Sequence, residues 1–239
     1  MPLPLRPLTR TRLLCATVLL LCLPWAGTAW THTIAGSNAV FVQGIDGPAI
    51  AAFMYLGAKH MVTGYDHLLF LFGVLFYLAR PLQVLHYVTL FALGHSLTLL
   101  AGVLLDWQVN AAMIDAIIGF SVLYKAFENM GGFRSLGIRT PDPHTAVFVF
   151  GLFHGLGLAT RLQAFEMSPN GLLSNLIGFN IGVEIGQILA LTVVFLGLSL
   201  WRRSASFQRH AFMTNTLLFS GGLLLIAHQL GLWITGSSA

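Results

Sequence analysis

Residues 173–200 read LSNLIGFNIGVEIGQILALTVVFLGLSL, a run in which Glu184 is the one charged side chain. A helix of about 20 apolar residues crosses the hydrocarbon core of a bilayer, so this run predicts a transmembrane helix. Its surroundings repeat the pattern, with further windows near 60–79, 84–105, 111–129, 144–163 and 212–235. The expectation is an all-α membrane protein of about six transmembrane helices. Ile50 to Leu56 reads as an interfacial helix leading into the first span. Composition agrees: 56% of the 239 residues are hydrophobic and 8% charged, against roughly 25% charged in a soluble domain. The lipid bilayer is the expected surrounding. Net charge is +4, but no basic tract supports nucleic-acid binding.

The chain begins with Arg6, Arg10 and Arg12, an apolar run from Leu13 to Leu23, and then Ala26-Gly-Thr-Ala29. These are the three parts of a secretory signal peptide, and the 11-residue run is too short to span. Cleavage after Ala29 leaves residues 30–59 as a periplasmic or interfacial segment and 60–239 as the transmembrane domain, with Trp30 at a periplasmic amino terminus. An uncleaved anchor helix is the rival reading. Cys15 and Cys22 both lie in the leader, so the mature chain has no thiol for disulfides, thiolate metal sites or nucleophilic catalysis. Alternating six spans from that terminus places Arg80, Lys125, Arg134, Arg139, Arg202, Arg203 and Arg209 on the cytoplasmic side. Only Lys59 and Arg161 fall outside, the bias expected of a bacterial inner-membrane protein. The longest connection, 131–143, leaves no room for a soluble domain. A faint echo links Gly64-Tyr-Asp-His67 to Gly151-Leu-Phe-His154, and Phe91-Ala-Leu-Gly94 to Phe179-Asn-Ile-Gly182. It fits a 3+3 inverted repeat, and chance matching of glycine and phenylalanine explains it equally well.

A charge at mid-membrane costs about 2.5 to 3.5 kcal/mol even on the most lenient scale, so each such residue asks for a partner or a function. His60 and His67 are seven residues apart and share a helical face, with Gly64 between them and Asp66 turned aside where it can orient an imidazole or bind directly. His95 on the second span and His154 on the fourth reach a similar depth. On the fifth, Asn180, Glu184 and Gln187 form a polar stripe opposite Gly178, Gly182 and Gly186, which read as a packing seam. Glu184 is expected to project inward at the level of His95 and His154. The metal-site residues are therefore His60, Asp66, His67, His95, His154 and Glu184. Behind them stand Asn180, Gln187, Asp115, His228, Ser96 and Glu128, the last spaced for an ion pair with Lys125. Imidazole with carboxylate suits divalent nickel, cobalt, zinc or manganese and argues against copper(I). Singly, each buried histidine is also explained as a hydrogen-bonded packing residue. His32, His86, His144 and His210 fall near loops or helix ends and read as solvated, although Trp30-Thr-His32 offers a periplasmic capture point.

At these residues the chain resembles the HupE/UreJ family of membrane proteins, in its more divergent second branch. The matching stretches are His60-Met-Val-Thr-Gly-Tyr-Asp-His67 with the following Leu-Leu-Phe, Gly94-His-Ser-Leu-Thr98, Ala126-Phe-Glu-Asn129, Gly151-Leu-Phe-His-Gly-Leu-Gly157 and Phe179-Asn-Ile-Gly-Val-Glu-Ile-Gly-Gln187. The resemblance implies a permease linked to hydrogenase or urease maturation, with nickel uptake the usual assignment. It also implies that His60, Asp66, His67 and His154 belong to the metal path. The chain departs from the better characterised branch at Leu158 and Arg161, where that branch has a second histidine and an acidic residue, which puts nickel selectivity in question. Glu184 is a substitute for the lost carboxylate.

Three functions compete. The first is a secondary permease for a divalent metal, nickel or cobalt foremost, without enzymatic activity or an organic cofactor; no Gly-x4-Gly-Lys-Ser/Thr motif is present, so transport is facilitated or ion-coupled. The second is a zinc-dependent intramembrane hydrolase using several histidines, Asp66 and Ser96. The third is an accessory or scaffold protein whose polar residues only lock helices together. A polar path reaching the level of Lys125 and Glu128 favours the permease, and a one-sided cavity with three ligands favours the hydrolase.

Overall fold

The computed structural model describes residues 42–164 and 167–235. The stretch read as a signal peptide, both cysteines, Trp30 and His32 lie outside the described residues. Among residues 50–235, as far as described, the helices are α1 Ile50–Thr63, α2 Tyr65–Leu75, α3 Pro81–Leu104, α4 Ala111–Asn129, α5 Gly132–Ser135, α6 Pro143–Gln163, α7 Leu172–Arg202 and α8 Ala205–Thr235. No strand occurs among the described residues. The helix starts have local causes. Proline opens α3 and α6, where a missing N–H costs nothing. The Asp142 carboxylate accepts the Thr145 N–H at 2.8 Å, and the Asn110 amide oxygen accepts that of Met113 at 3.0 Å.

Among the described residues four helices, α3, α6, α7 and α8, are long and apolar enough to cross a membrane. This differs from the six expected spans in two places, each with a physical reason. The window at 111–129 does form one 19-residue helix, α4, but Asp115, Lys125 and Glu128 make it too polar to count by composition. The window at 60–79 is not one helix. Gly64, with φ −75° and ψ 91°, ends α1 and begins α2, so the chain there is two helices of 14 and 11 residues. Ile50 to Leu56 is likewise no separate interfacial helix. It is the first half of α1, and Phe53, Leu56, Gly57 and Met61 are buried.

Three helix pairs carry most of the packing: α3 with α6, α1 with α7, and α4 with α8. The expected glycine seam on α7 is one of the contact surfaces. A Cβ placed on Gly178, Gly182 or Gly186 would lie 2.8, 1.9 and 2.6 Å from the carbonyl oxygens of Ile50, Met54 and Ala58. The rising order of both sets shows that α1 and α7 run parallel. Gly151 meets Phe91 and Gly155 meets His95 in the same way, so α3 and α6 are also parallel. Gly119 faces Leu225 and Gly222 faces Leu123, which makes α4 and α8 antiparallel. Lipid supplies no hydrophobic drive between helices, so such close backbone approach, with its dispersion contacts, is what holds the pairs together.

Gly182→Ala is accordingly expected to overpack the α1–α7 contact and lower stability by about 1 to 3 kcal/mol. Gly197→Ala on the same helix, with nothing within 4 Å of its added Cβ, is expected to be neutral or stabilising. Thermal unfolding of the two variants in detergent compares them directly; equal melting temperatures would remove the seam from its structural role.

Candidate metal centre

His60 stands in the last turn of α1 and His67 in the first turn of α2. The helix break at Gly64 therefore turns two imidazoles toward each other, with ring centroids 5.1 Å apart. No side chain fits at residue 64, because a Cβ there would lie 2.8 Å from His67 Nδ1. His67 also sits 5.9 Å from the ring of His95 on α3 and 4.7 Å from that of His154 on α6. His67, His95 and His154 are 3%, 0% and 0% exposed, while His60 is half-buried. One donor atom from each of His60, His67 and His95 lies within 4.8 Å of the others. Phe70, Phe91 and Phe179 pack around these rings and keep the cluster in an apolar shell.

The hydrogen bonds fix which nitrogens can act as ligands. A carboxylate or carbonyl oxygen only accepts, so the nitrogen facing it carries the proton. The Asp66 Oδ1 oxygen accepts from His67 Nδ1 at 2.7 Å and from the His67 backbone N–H at 2.8 Å. Phe150 O accepts from His154 Nδ1 at 2.7 Å. Both rings are thereby held with the lone pair on Nε2, the arrangement in which a carboxylate or carbonyl orients a metal-binding imidazole. His95 makes no hydrogen bond through either ring nitrogen among the described residues. A buried polar nitrogen left so costs about 1 to 3 kcal/mol, and a cation held between the three donor rings would meet that demand. The backbones supporting the cluster are tightly registered. A Cβ on Gly155 would be 2.0 Å from His95 O, and Thr98 Oγ1 donates to Leu152 O at 2.6 Å.

Glu184 is not part of this cluster. It is exposed, contrary to the inward projection read from the sequence. The reason is the seam itself: Gly182 and Gly186 must face α1, and a residue two positions away is turned by about 200° to the outside. Gln187, beside the seam, is fully buried and donates to Val88 O on α3 at 3.4 Å, while Asn180 donates to Leu176 O of its own helix. Asp115 is paired with Arg161 across α4 and α6. The basic residue that marks a departure from the family pattern thus has a carboxylate of its own. Lys125 and Glu128 form the expected pair at 2.9 Å. His228 is exposed on α8, and Ser96 is half-buried on α3. A groove of about 680 Å³ between α4, α6 and α8 has apolar and aromatic walls, and none of the clustered histidines lines it. The phenylalanine shell was missed in the sequence because Phe is common in any membrane helix.

The family model described as HupE / UreJ protein matches residues 36–237, most of the chain. No curated protein and no solved structure matches it.

The Asp115–Arg161 pair gives a test of the polar framework. Arg161→Met alone removes the cation beside a largely buried carboxylate and is expected to cost about 1 to 3 kcal/mol. The double variant Asp115→Asn/Arg161→Met should recover most of that loss. A double-mutant cycle on unfolding in detergent reads the coupling; purely additive losses would show the pair to be idle.

Proposed function

The chain belongs to the HupE/UreJ family, and from that premise we propose that it is a secondary permease carrying a divalent transition metal from periplasm to cytoplasm. Membership implies a nickel- or cobalt-related membrane role, as transporter or accessory protein. The single observation that carries the permease reading is the set of donor atoms of His60, His67 and His95 within 4.8 Å of one another, contributed by both sides of a helix break and by a third helix. Broken helices that place ligands at mid-depth are the usual way for transporters to build an ion site inside lipid. Three neutral imidazoles favour nickel, cobalt or zinc over magnesium or calcium. His154, oriented through its Nδ1, is the next ligand along the path, and Asp66 holds His67. The ion is cargo on this reading, and the protein is neither an enzyme nor the holder of an organic cofactor.

The helix directions support six crossings in a 3+3 inverted arrangement. With α1 and α2 together counted as one crossing, exchanging the first three crossings for the last three converts the α1–α7 pair into α6–α3 and returns α4–α8 to itself. Arg80, Arg134, Arg139, Arg202, Arg203 and Arg209 belong to the end where α3, α6 and α8 begin and α7 ends. That bias makes it the cytoplasmic end in the inner membrane, with the mature amino terminus periplasmic.

Uptake of nickel, cobalt and zinc into proteoliposomes tests the reading. His67→Ala, His95→Ala and His154→Ala should each abolish most uptake, and double variants should add little, because the site acts as a unit. Uptake should also fall in acid, since protonated imidazole cannot bind a cation. Wild-type uptake in all three variants, at normal expression, would leave the accessory role in its place. For orientation, a cysteine at Ser135 should stay unlabelled by an impermeant reagent applied to intact cells, and outside labelling would invert the assignment.

A further inference from the structure

The α3–α6 pair carries a second couple of histidines at the end where both helices begin. His86 lies nine residues before His95 and His144 ten before His154, hence roughly 13 to 15 Å from the central cluster at 1.5 Å per residue. Read along the sequence they are unrelated residues near helix ends. Folded, their ring centroids are 6.0 Å apart with the planes at 80°. Two imidazoles ligating one ion through nitrogens at about 2.0 to 2.1 Å bring their ring centroids to roughly 5 to 6.5 Å. The observed spacing falls within that range.

The surroundings resemble a looser copy of the Asp66–His67 unit. Asp142 Oδ1 lies 3.6 Å from His144 Nδ1, which leaves Nε2 as the donor when the carboxylate orients the ring. The other oxygen, Oδ2, is engaged by the Thr145 N–H and hydroxyl at 2.8 and 2.9 Å, so the carboxylate is anchored. Tyr87 stacks on His144 at 4.7 Å and 10°, fixing the plane of that ring. The carboxylates of Glu128 and Asp142 both lie within electrostatic range of Tyr87, and Glu128 is itself paired with Lys125. Two helix N-termini meet here and work against a cation; Asp142 caps one of them, which moderates that opposition.

We propose that His86 and His144, with Asp142 behind His144, form a second, weaker site for a divalent transition metal at the end of the bundle where α3 and α6 begin. Both histidines are exposed, so water completes the coordination and exchange is fast. The nine-residue spacing puts His86 on the far side of α3 from His95, outside the central cluster, so the site is a separate station. Its use as the place where the ion is handed to the cytoplasm rests on the permease reading above; its existence as a binding site does not.

Zinc binding to the purified full chain in detergent, measured by equilibrium dialysis above the imidazole pKa range, tests the site. With the central cluster disabled by His67→Ala, one weaker zinc per chain should remain. Adding His86→Ala or His144→Ala to that background should weaken it by at least about tenfold. Residual zinc unchanged by both substitutions, or no residual zinc, would overturn the inference. If instead His67→Ala leaves zinc binding at its wild-type level while His86→Ala removes an ion, the central site fails and this one stands.

Discussion

Gly155 on α6 has no side chain because the carbonyl oxygen of His95 stands 2.0 Å from where its Cβ would be. That contact, repeated at Gly151 against Phe91 and at Gly182 against Met54, is the constraint from which the rest of the molecule follows. Membrane helices gain little by hiding apolar surface from one another, so they associate where backbones can touch and polar groups can be satisfied. Here α3 is locked to α6 and α1 to α7, and the short α2 continues from α1 after the break at Gly64. His60, His67, His95 and His154 meet because those contacts leave the helices little freedom to slide or rotate.

The interior polar groups divide by how they are satisfied. Asn129 donates to Gly73 O and to Asn215, tying α2, α4 and α8 at one level. Arg202 donates to the carbonyls of Leu75 and Leu78, satisfying the open end of α2. Asp115 has Arg161, and Glu128 has Lys125. These are complete arrangements, the condition under which polar residues stabilise a helix bundle in lipid. The histidine cluster differs. Asp66 and the Phe150 carbonyl engage Nδ1 of two rings and direct their lone pairs elsewhere, and His95 has both nitrogens buried without a hydrogen bond among the described residues. Donor atoms of three imidazoles thus lie within 4.8 Å of one another in a phenylalanine-lined space, a group that could hold a metal ion.

The departure at Leu158 and Arg161 has a structural counterpart. Leu158 is buried, and Arg161, two turns beyond His154 on α6, is neutralised by Asp115. At these positions the chain has a hydrophobic contact and an ion pair to α4. The three histidines whose donor atoms lie within 4.8 Å of one another come from α1, α2 and α3.

Much was legible before any fold was known. Runs of apolar length specify membrane helices, and a charged or imidazole side chain inside such a run identifies itself by its cost. Hence the long helices, the Lys125–Glu128 pair, the glycine seam and the four histidines that cluster could be read from the chain. Other features could not. The break at Gly64 interrupts an otherwise apolar window, the partnership of Asp115 with Arg161 joins residues 46 apart in sequence, and His86 meets His144 only because α3 and α6 run parallel. Glu184 shows the limit most clearly. Helical periodicity determines that it lies opposite Gly182 and Gly186, and that much is certain from spacing alone. Which of the two faces looks inward is decided by the partner helix, because α1 can approach only where α7 has no side chains.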